Sequence, residues 1–371
     1  MGFVHLIACA VEPAPPAPVD PCAVALAPAA GPLSAGAAGL SPVEIAELRI
    51  REARMTGDAG FYSLAEAAAA CALRRDPADA RAARARVYVK TQFHEFGAAE
   101  LEARAMAERT GGWQDWLLVG DAAMEQGKLD AARAAYEAGL QQRPGLQLYD
   151  RMGFYWWSVG DAELALQYAE AASSAGSPSD PEPWAWALTR LGWLHALAGQ
   201  PAPEIELALA LLPDYPPARF ARGRIRLAAG DPGAAADFRA VGATVEATRA
   251  LAEIEPGTDV AAVLSQDPRG AAIWLADRDP RRAVALLDQE RAAREDAQTL
   301  LAWAYASERA GADATDVARA AIATGTLEPR ALLHAGLVLR ERALLARALA
   351  TGPGLLPSER AAALSAMAAL P

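Results

Sequence analysis

The sequence predicts an all-α fold, an α-solenoid of stacked antiparallel helix hairpins. Three observations predict it: a length of 371 residues, a high content of the strong helix former alanine, and two glycine series that recur in phase. The first series, with gaps of 33, 39 and 31 residues, is Gly120, Gly153, Gly192 and Gly223. The second follows seven residues later and is Gly127, Gly160, Gly199 and Gly230. A period of roughly 34 residues is typical of helix hairpins that each pack on their neighbours.

Composition limits the classes of partner and compartment. The chain has 35 basic and 46 acidic residues and a net charge of −11, which argues against sequence-independent binding of nucleic acid or anionic lipid headgroups. Arginine greatly outnumbers lysine, and we attribute this to a GC-rich coding bias. No apolar run reaches about 18 residues, so a spanning helix is not expected. The three cysteines do not predict a disulfide framework, and Cys71 is expected to be a buried thiol.

Residues 1–40 are expected to be a signal followed by a disordered tether. Leu6-Ile7-Ala8-Cys9 resembles a bacterial lipobox, where a signal peptide is cut before a cysteine that becomes acylated. The Pro/Ala-rich stretch that follows, from Val11 to Leu40, cannot bury enough surface to fold. The resemblance implies a lipid on Cys9 and the periplasmic side of a cell envelope. The alternatives, a true start upstream or a chance match in a cytoplasmic protein, stay open because no lysine or arginine precedes Cys9.

The unit Gly112–Gly145 illustrates the repeat. Small residues, Gly120 and Ala132, lie where the two helices of a hairpin are expected to touch, and large ones, Trp116 and Tyr136, fill the adjoining space. A glycine ends the first helix and a proline ends the second. These residue types at these spacings resemble the tetratricopeptide repeat (TPR) closely.

Similar units extend along the chain. The same pattern fits residues 46–79, 80–112, 146–184, 185–217 and 218–245, which gives an array of about six repeats over 41–245. Degenerate TPR-like hairpins are predicted over residues 246–350, and a C-terminal helix is predicted over residues 351–371. The stretch from His334 to Ala343 leaves no room for a turn, so two helices are expected to be fused there. Its His-Ala-Gly sequence resembles a group of bacterial TPR proteins with looser C-terminal repeats.

No residue set predicts catalysis. The four histidines lack metal-ligand spacing, and the sequence contains neither a phosphate-binding glycine motif nor a serine nucleophile elbow. We therefore predict a non-enzymatic protein without a metal or a cofactor.

The TPR resemblance implies a concave surface lined by the first helix of each hairpin. Carried over residue by residue, it assigns a peptide-binding groove to Arg84, Tyr88, Arg151, Phe154, Trp157, Trp186, Arg190 and Trp193. Aromatic rings that alternate with guanidinium groups suit an extended peptide or helix of acidic character. The alternative is that these tryptophans only fill space between repeats. The TPR carboxylate clamp for chaperone tails lacks its asparagines here, so chaperone docking is disfavoured.

Three functions remain open at this point. The leading hypothesis is a scaffold that binds a protein or peptide partner in the groove, without nucleic acid, and with a membrane only through the lipid anchor. The second is a structural or assembly subunit that packs through the edges of the solenoid. The third is an accessory module that positions an enzyme.

Overall fold

The fold is known from a computed structural model that describes residues 20–25, 31–33 and 39–370. Within these ranges the chain forms helices joined by turns, and its β-structure is limited to an isolated bridge between Ser177 and Asp180. Consecutive helices pack as antiparallel pairs, and successive pairs stack in chain order. The predicted all-α solenoid of stacked hairpins is therefore confirmed, and its form is TPR-like.

The N-terminal part consists of a short first helix and six hairpins. The helices are α1 (Pro21–Ala25), α2 (Pro42–Thr56), α3 (Gly60–Arg75), α4 (Ala80–Gln92), α5 (Phe96–Thr110), α6 (Trp113–Glu125), α7 (Leu129–Gln142), α8 (Leu146–Ser158), α9 (Ala162–Ser174), α10 (Pro181–Leu197), α11 (Pro203–Leu211), α12 (Pro216–Ala228) and α13 (Ala234–Val241).

The C-terminal part is less regular and includes two short 3-10 helices, Ala261–Gln266 and Gly352–Gly354. Its α-helices are α14 (Val245–Ala252), α15 (Pro268–Leu275), α16 (Pro280–Ala293), α17 (Ala297–Arg309), α18 (Thr315–Ile322), α19 (Pro329–Leu339), α20 (Arg342–Leu349) and α21 (Pro357–Ala369).

Local sequence explains the helix ends and the close packing. Asp161 caps α9 by accepting a hydrogen bond from the Leu164 amide at 2.9 Å. Gly120 lies where α6 and α7 touch, since a Cβ at that position would overlap the ring of Tyr136. The Tyr136 ring is fully buried and fills the space that the glycine leaves. The reason predicted for the recurrent glycines holds at this contact.

The expected fusion of two helices after His334 is wrong. Helices α19 and α20 are separate and are joined by Arg340 and Glu341 alone. Arg340 takes a left-handed conformation with φ of 55°, which is uncommon for a residue other than glycine, and so turns the chain within two residues. The Glu341 amide donates to the Gly336 carbonyl at 3.1 Å and completes the turn.

The expectations for cysteine and for the tether also need correction. Cys22 on α1 and Cys71 on α3 form a disulfide, so Cys71 is not a free thiol. The Leu33 amide donates to the Glu52 carboxylate of α2 at 2.9 Å. Parts of the Pro/Ala-rich stretch therefore fold against the first hairpin, because the disulfide supplies the attachment that its apolar content lacks. Cys9 lies outside the described residues.

The solenoid curls back on itself. Arg54 of α2 pairs with Glu182 of α10 at 2.8 Å, which joins the first hairpin to the fifth. The C-terminal helices pack along the turns of the N-terminal hairpins, where Arg294 pairs with Glu125 at 2.5 Å. The Leu327 amide also donates to the Trp157 carbonyl at 3.1 Å. The inner face of the repeats is thus enclosed by the chain's own second part.

Two turn glycines permit this closure. Gly160 and Gly325 meet backbone to backbone, with φ values of 95° and 91°. A Cβ on Gly160 would lie 2.6 Å from the Gly325 carbonyl oxygen, and one on Gly325 would lie 2.6 Å from the Val159 carbonyl oxygen. A side chain at either position would push the two parts of the molecule apart.

Candidate functional site

The inner face holds two adjacent cavities that share a wall. The first, called the repeat cavity, has a volume of about 570 Å³ and is lined mainly by the first helices of the hairpins. The second, called the junction cavity, has a volume of about 410 Å³ and lies between α8, α10 and α12 on one side and α14, α15 and α19 on the other. Phe154, Trp186 and Arg190 line both cavities. Both volumes are typical of ligand pockets.

The repeat cavity is crossed by a chain of ion pairs. Arg151 contacts Asp121 at 3.1 Å and Asp150 at 3.3 Å. Arg190 binds the same Asp150 at 2.8 Å, and the Trp186 indole donates to it at 3.1 Å. Burial lowers the pKa of Arg151, but Asp121 and Asp150 outweigh that effect and raise it, so the guanidinium stays charged. Each of these polar groups therefore has a partner within the fold.

Two aromatic rings lie close to the Arg190 guanidinium. The Arg190 guanidinium lies 5.1 Å from the Phe154 ring centre and 5.9 Å from that of Trp186. At the far side of the cavity, the Tyr215 hydroxyl donates to Glu182 at 3.0 Å. Burial, followed by the charge of Glu182, raises the pKa of Tyr215, so this hydroxyl remains a proton donor.

A closed box of four charges lies beside the junction cavity, and two of its members, Glu246 and Arg330, line that cavity. Arg249 contacts Glu246 at 3.1 Å and Glu359 at 2.9 Å. Arg330 contacts the same two carboxylates at 3.0 and 2.9 Å. Burial raises the pKa of each glutamate, but the arginines outweigh it; they hold the pKa of Glu359 at about 2 and that of Glu246 well below its usual range. The box joins α14, α19 and α21.

A histidine in the same region is held neutral. His334 is 4% exposed and stacks on Tyr305, with ring centres 4.7 Å apart and planes within 5°. Burial, assisted by the positive charge of Arg330, lowers the pKa of His334 to about 3. The side chain is therefore uncharged at neutral pH and packs as an aromatic ring.

The structure brings seven of the eight predicted groove residues to these cavities. Tyr88 and Arg151 line the repeat cavity, and Trp157 and Trp193 line the junction cavity, beside the three shared residues. Arg84 is the exception, since it lines neither cavity and binds the buried Asp115 at 2.6 Å. Its role is to join α4 to α6.

Sequence reasoning missed the residues that the second part of the chain contributes. Arg294, Glu246 and Arg330 reach the cavities from the second part of the chain, and no repeat pattern marks them. Arg224, on α12, was also missed. Two of the regular turn glycines, Gly127 and Gly160, lie against the second part of the chain and are a signal that the sequence offered.

Two further findings concern metals and membranes. Among residues 20–25, 31–33 and 39–370, no three or more histidine, cysteine, aspartate or glutamate side chains are grouped so that they would hold a metal ion. No helix in the described part of the chain has both the length and the apolar character needed to cross a bilayer.

The known proteins that resemble this chain do so in structure and not in sequence. No protein family matches the chain, and no curated protein sequence matches it. It is similar to a solved chain of the APC/C hetero-tetramer Cut9–Hcn1, with a TM-score of 0.40, 12% identity, and coverage of 91% of this chain and 57% of that one. It is also similar to yeast Tom70, with a TM-score of 0.37, 12% identity, and coverage of 89% of this chain and 92% of that one. This chain thus spans little more than half of the first neighbour. The packing of the helices in antiparallel pairs, and not these similarities, defines the fold.

Proposed function

We propose that this protein is a non-enzymatic scaffold that binds a short segment of a protein partner at the repeat cavity. The observation that carries the proposal is the lining of that cavity, where Tyr88, Phe154 and Trp186 alternate with Arg151 and Arg190. Aromatic residues and arginine dominate protein-binding hot spots, because they combine large apolar area with directed hydrogen bonds.

The charges of the cavity define the chemistry of the segment. The sequence favoured an acidic ligand, but the two groove arginines, Arg151 and Arg190, already bind Asp121 and Asp150. An acidic segment would have to displace these carboxylates and leave them buried without a partner, which is costly. A segment that offers an apolar side chain to the rings and neutral polar groups to the ion pairs fits better.

The test is a peptide-display selection on the purified full-length protein, followed by affinity measurements on single variants. Trp186→Ala removes the largest ring of the cavity and is expected to weaken selected peptides by about tenfold or more. The matched control is Trp303→Ala, because Trp303 lines neither cavity and donates to Asp288 at the surface. Equal affinities for wild type and Trp186→Ala would contradict binding at this cavity.

The alternative function, an assembly subunit that packs through its outer edges, has one observation in its favour. Three leucines are largely exposed on the described surface: Leu101 at 72%, Leu207 at 55% and Leu364 at 58%. Single exposed leucines are common on soluble proteins, so this support is weaker. Binding that is insensitive to Trp186→Ala but lost in Leu101→Ser would favour this alternative.

We further propose an oxidising compartment with a lipid anchor on Cys9. The Cys22–Cys71 disulfide supports the compartment, since disulfides persist mainly outside the reducing cytosol. The lipobox-like sequence before Cys9 supports the anchor. Cys9→Ser is expected to move the protein from the membrane fraction to the soluble fraction, and a wild-type protein that is already soluble would contradict the anchor. Thiol alkylation before reduction tests the disulfide separately.

A further inference from the structure

The junction cavity contains a buried cation, Arg224, that forms no ion pair with a carboxylate of the described residues. Arg224 is 5% exposed and lines this cavity from α12. Within the described part of the chain, its hydrogen bonding is limited to one bond, from Nη2 to the Pro353 carbonyl oxygen at 2.7 Å. No carboxylate in the described part lies within 4.0 Å of it. Among the described residues, no acceptor lies within hydrogen-bond distance of the Nε–H and Nη1–H groups of Arg224.

The other arginines that line this cavity, unlike Arg224, each contact a carboxylate. Arg190 binds Asp150 at 2.8 Å, Arg269 contacts Asp296 at 3.5 Å, and Arg330 belongs to the four-charge box. The box is complete without Arg224, since each of its arginines contacts both of its glutamates.

The remaining carboxyl groups of the cavity do not balance Arg224. Asp267 accepts a hydrogen bond from the Gly270 amide at 3.0 Å and so caps α15. Burial raises the pKa of Glu328, although Arg330, Trp157 and Arg224 act in the opposite direction, and among the described residues no Glu328 oxygen lies within 4.0 Å of the Arg224 guanidinium. Burial also lowers the pKa of Arg224 to about 10, still above neutral pH, so the guanidinium carries its charge.

The surroundings of Arg224 are aromatic. Its guanidinium lies 5.9 Å from the ring centres of both Trp193 and Phe220. Trp157 and Trp186 line the same cavity. A guanidinium beside aromatic rings still binds a carboxylate in bidentate geometry, and the rings supply contacts for an apolar ligand body.

We propose that the junction cavity binds a small organic carboxylate, whose charged end pairs with Arg224 and whose apolar or aromatic body lies among the tryptophans. A single unpaired cation matches a monoanion, and the carboxylates that line the cavity disfavour a more highly charged ligand such as phosphate. The volume of about 410 Å³ suits a molecule of one or two rings. Arg224 does not line the repeat cavity, so the charged end of this site is separate from the proposed peptide site, although Trp186 lines both cavities.

The test is calorimetric titration of the full chain with benzoate, phenylacetate and 1-naphthylacetate, each beside its neutral amide, and with inorganic phosphate. We expect at least one acid to bind about tenfold or more tightly than its amide, because hydrogen bonds to charged groups exceed neutral ones in strength. Phosphate is expected to bind more weakly than that acid. Absence of binding by all three acids, equal binding of acid and amide, or tighter binding of phosphate would each overturn the proposal.

Variants locate the binding site. Arg224→Gln is expected to abolish the preference for acid over amide while it leaves amide binding nearly unchanged, and Arg224→Lys is expected to retain part of the preference. The matched control is Arg222→Gln on the same helix, where Arg222 binds Asp237 and Glu206 and lines neither cavity. An unchanged preference in Arg224→Gln, or equal losses in Arg224→Gln and Arg222→Gln, would overturn the assignment to Arg224. The acid–amide comparison in the unaltered protein needs no variant, so it decides the matter even where a variant fails to fold.

Discussion

The repeat cavity and the junction cavity share the wall formed by Phe154, Trp186 and Arg190, yet their charges are arranged differently. In the repeat cavity, the lining arginines Arg54, Arg151 and Arg294 bind carboxylates of the same chain at 2.5–3.3 Å. In the junction cavity, Arg224 has no such partner among the described residues.

The origin of the two walls accounts for this difference. The repeat cavity is built mainly by successive hairpins, so Arg151 and Arg190 each meet an acidic residue about one repeat away, Asp121 and Asp150. The junction cavity forms only where the second part of the chain docks on the first. A buried charge without a partner is costly to a fold, and such costs are concentrated at functional sites.

The largest expected effect comes from removing an ion pair in the repeat cavity, where the charges are paired. Arg151→Met should destabilise the protein by roughly 3 kcal/mol, because it removes the link between Asp121 and Asp150. Urea unfolding followed by circular dichroism measures this effect. The control is Arg133→Met, since Arg133 pairs with Glu137 in an exposed helix pair that is worth at most about 1 kcal/mol. Equal losses in the two variants would show that the ion-pair chain does not stabilise the fold.

A second prediction concerns the contact between the two parts of the chain at Gly160 and Gly325. Gly160→Ala should cost about 2–3 kcal/mol, because it combines a left-handed backbone with a clash against the Gly325 carbonyl. Gly230→Ala is the control, since Gly230 is also left-handed with φ of 72° but faces open space, and it should cost only about 1 kcal/mol. Thermal unfolding of both variants would test the difference. Similar costs would mean that the two parts do not touch at Gly160.

A third prediction concerns His334, which lines the junction cavity, and the pH dependence of the free energy of unfolding. The pKa of His334 in the folded protein, about 3, lies below its unfolded value of about 6.5, so the unfolded state binds a proton first as the pH falls. The wild type should therefore lose about 2 kcal/mol of stability between pH 7 and pH 5, relative to His334→Gln. Parallel pH profiles for the two proteins would contradict a buried, neutral His334.

The smallest expected effect has the opposite sign. Arg224→Met should stabilise the ligand-free protein by about 1 kcal/mol, because it replaces an unpaired buried charge by an apolar side chain of similar length. Urea midpoints of Arg224→Met and wild type would measure it. A clear destabilisation would mean that the Pro353 hydrogen bond and the aromatic contacts outweigh the cost of the charge, and the contrast between the cavities would weaken.

Sequence reasoning reached the fold and most of the inner face for a physical reason. The requirement for a small residue where two helices touch acts within one hairpin, as at Gly120 and Tyr136, so it leaves a regular trace. The same register placed Phe154 and Trp186 on the inner face.

The closure of the solenoid leaves no regular pattern in the sequence. It depends on contacts such as that between Glu125 and Arg294, which are 169 residues apart. Because coding bias accounts for the high arginine content, that content does not distinguish Arg224 from the other arginines. The pairing of Cys22 with Cys71 likewise depends on a fold-back that composition alone does not reveal.

Both proposed sites depend on the claim that the second part of the chain closes over the inner face, and cross-linking tests this most directly. In a Cys9→Ser background, Glu125→Cys with Arg294→Cys places two thiols at the observed contact, while Arg133→Cys with Arg294→Cys is the control. A short bismaleimide should join residues 125 and 294 within one monomer, and should not join 133 to 294. Equal cross-linking of the two pairs, or none in the first, would contradict the closed solenoid.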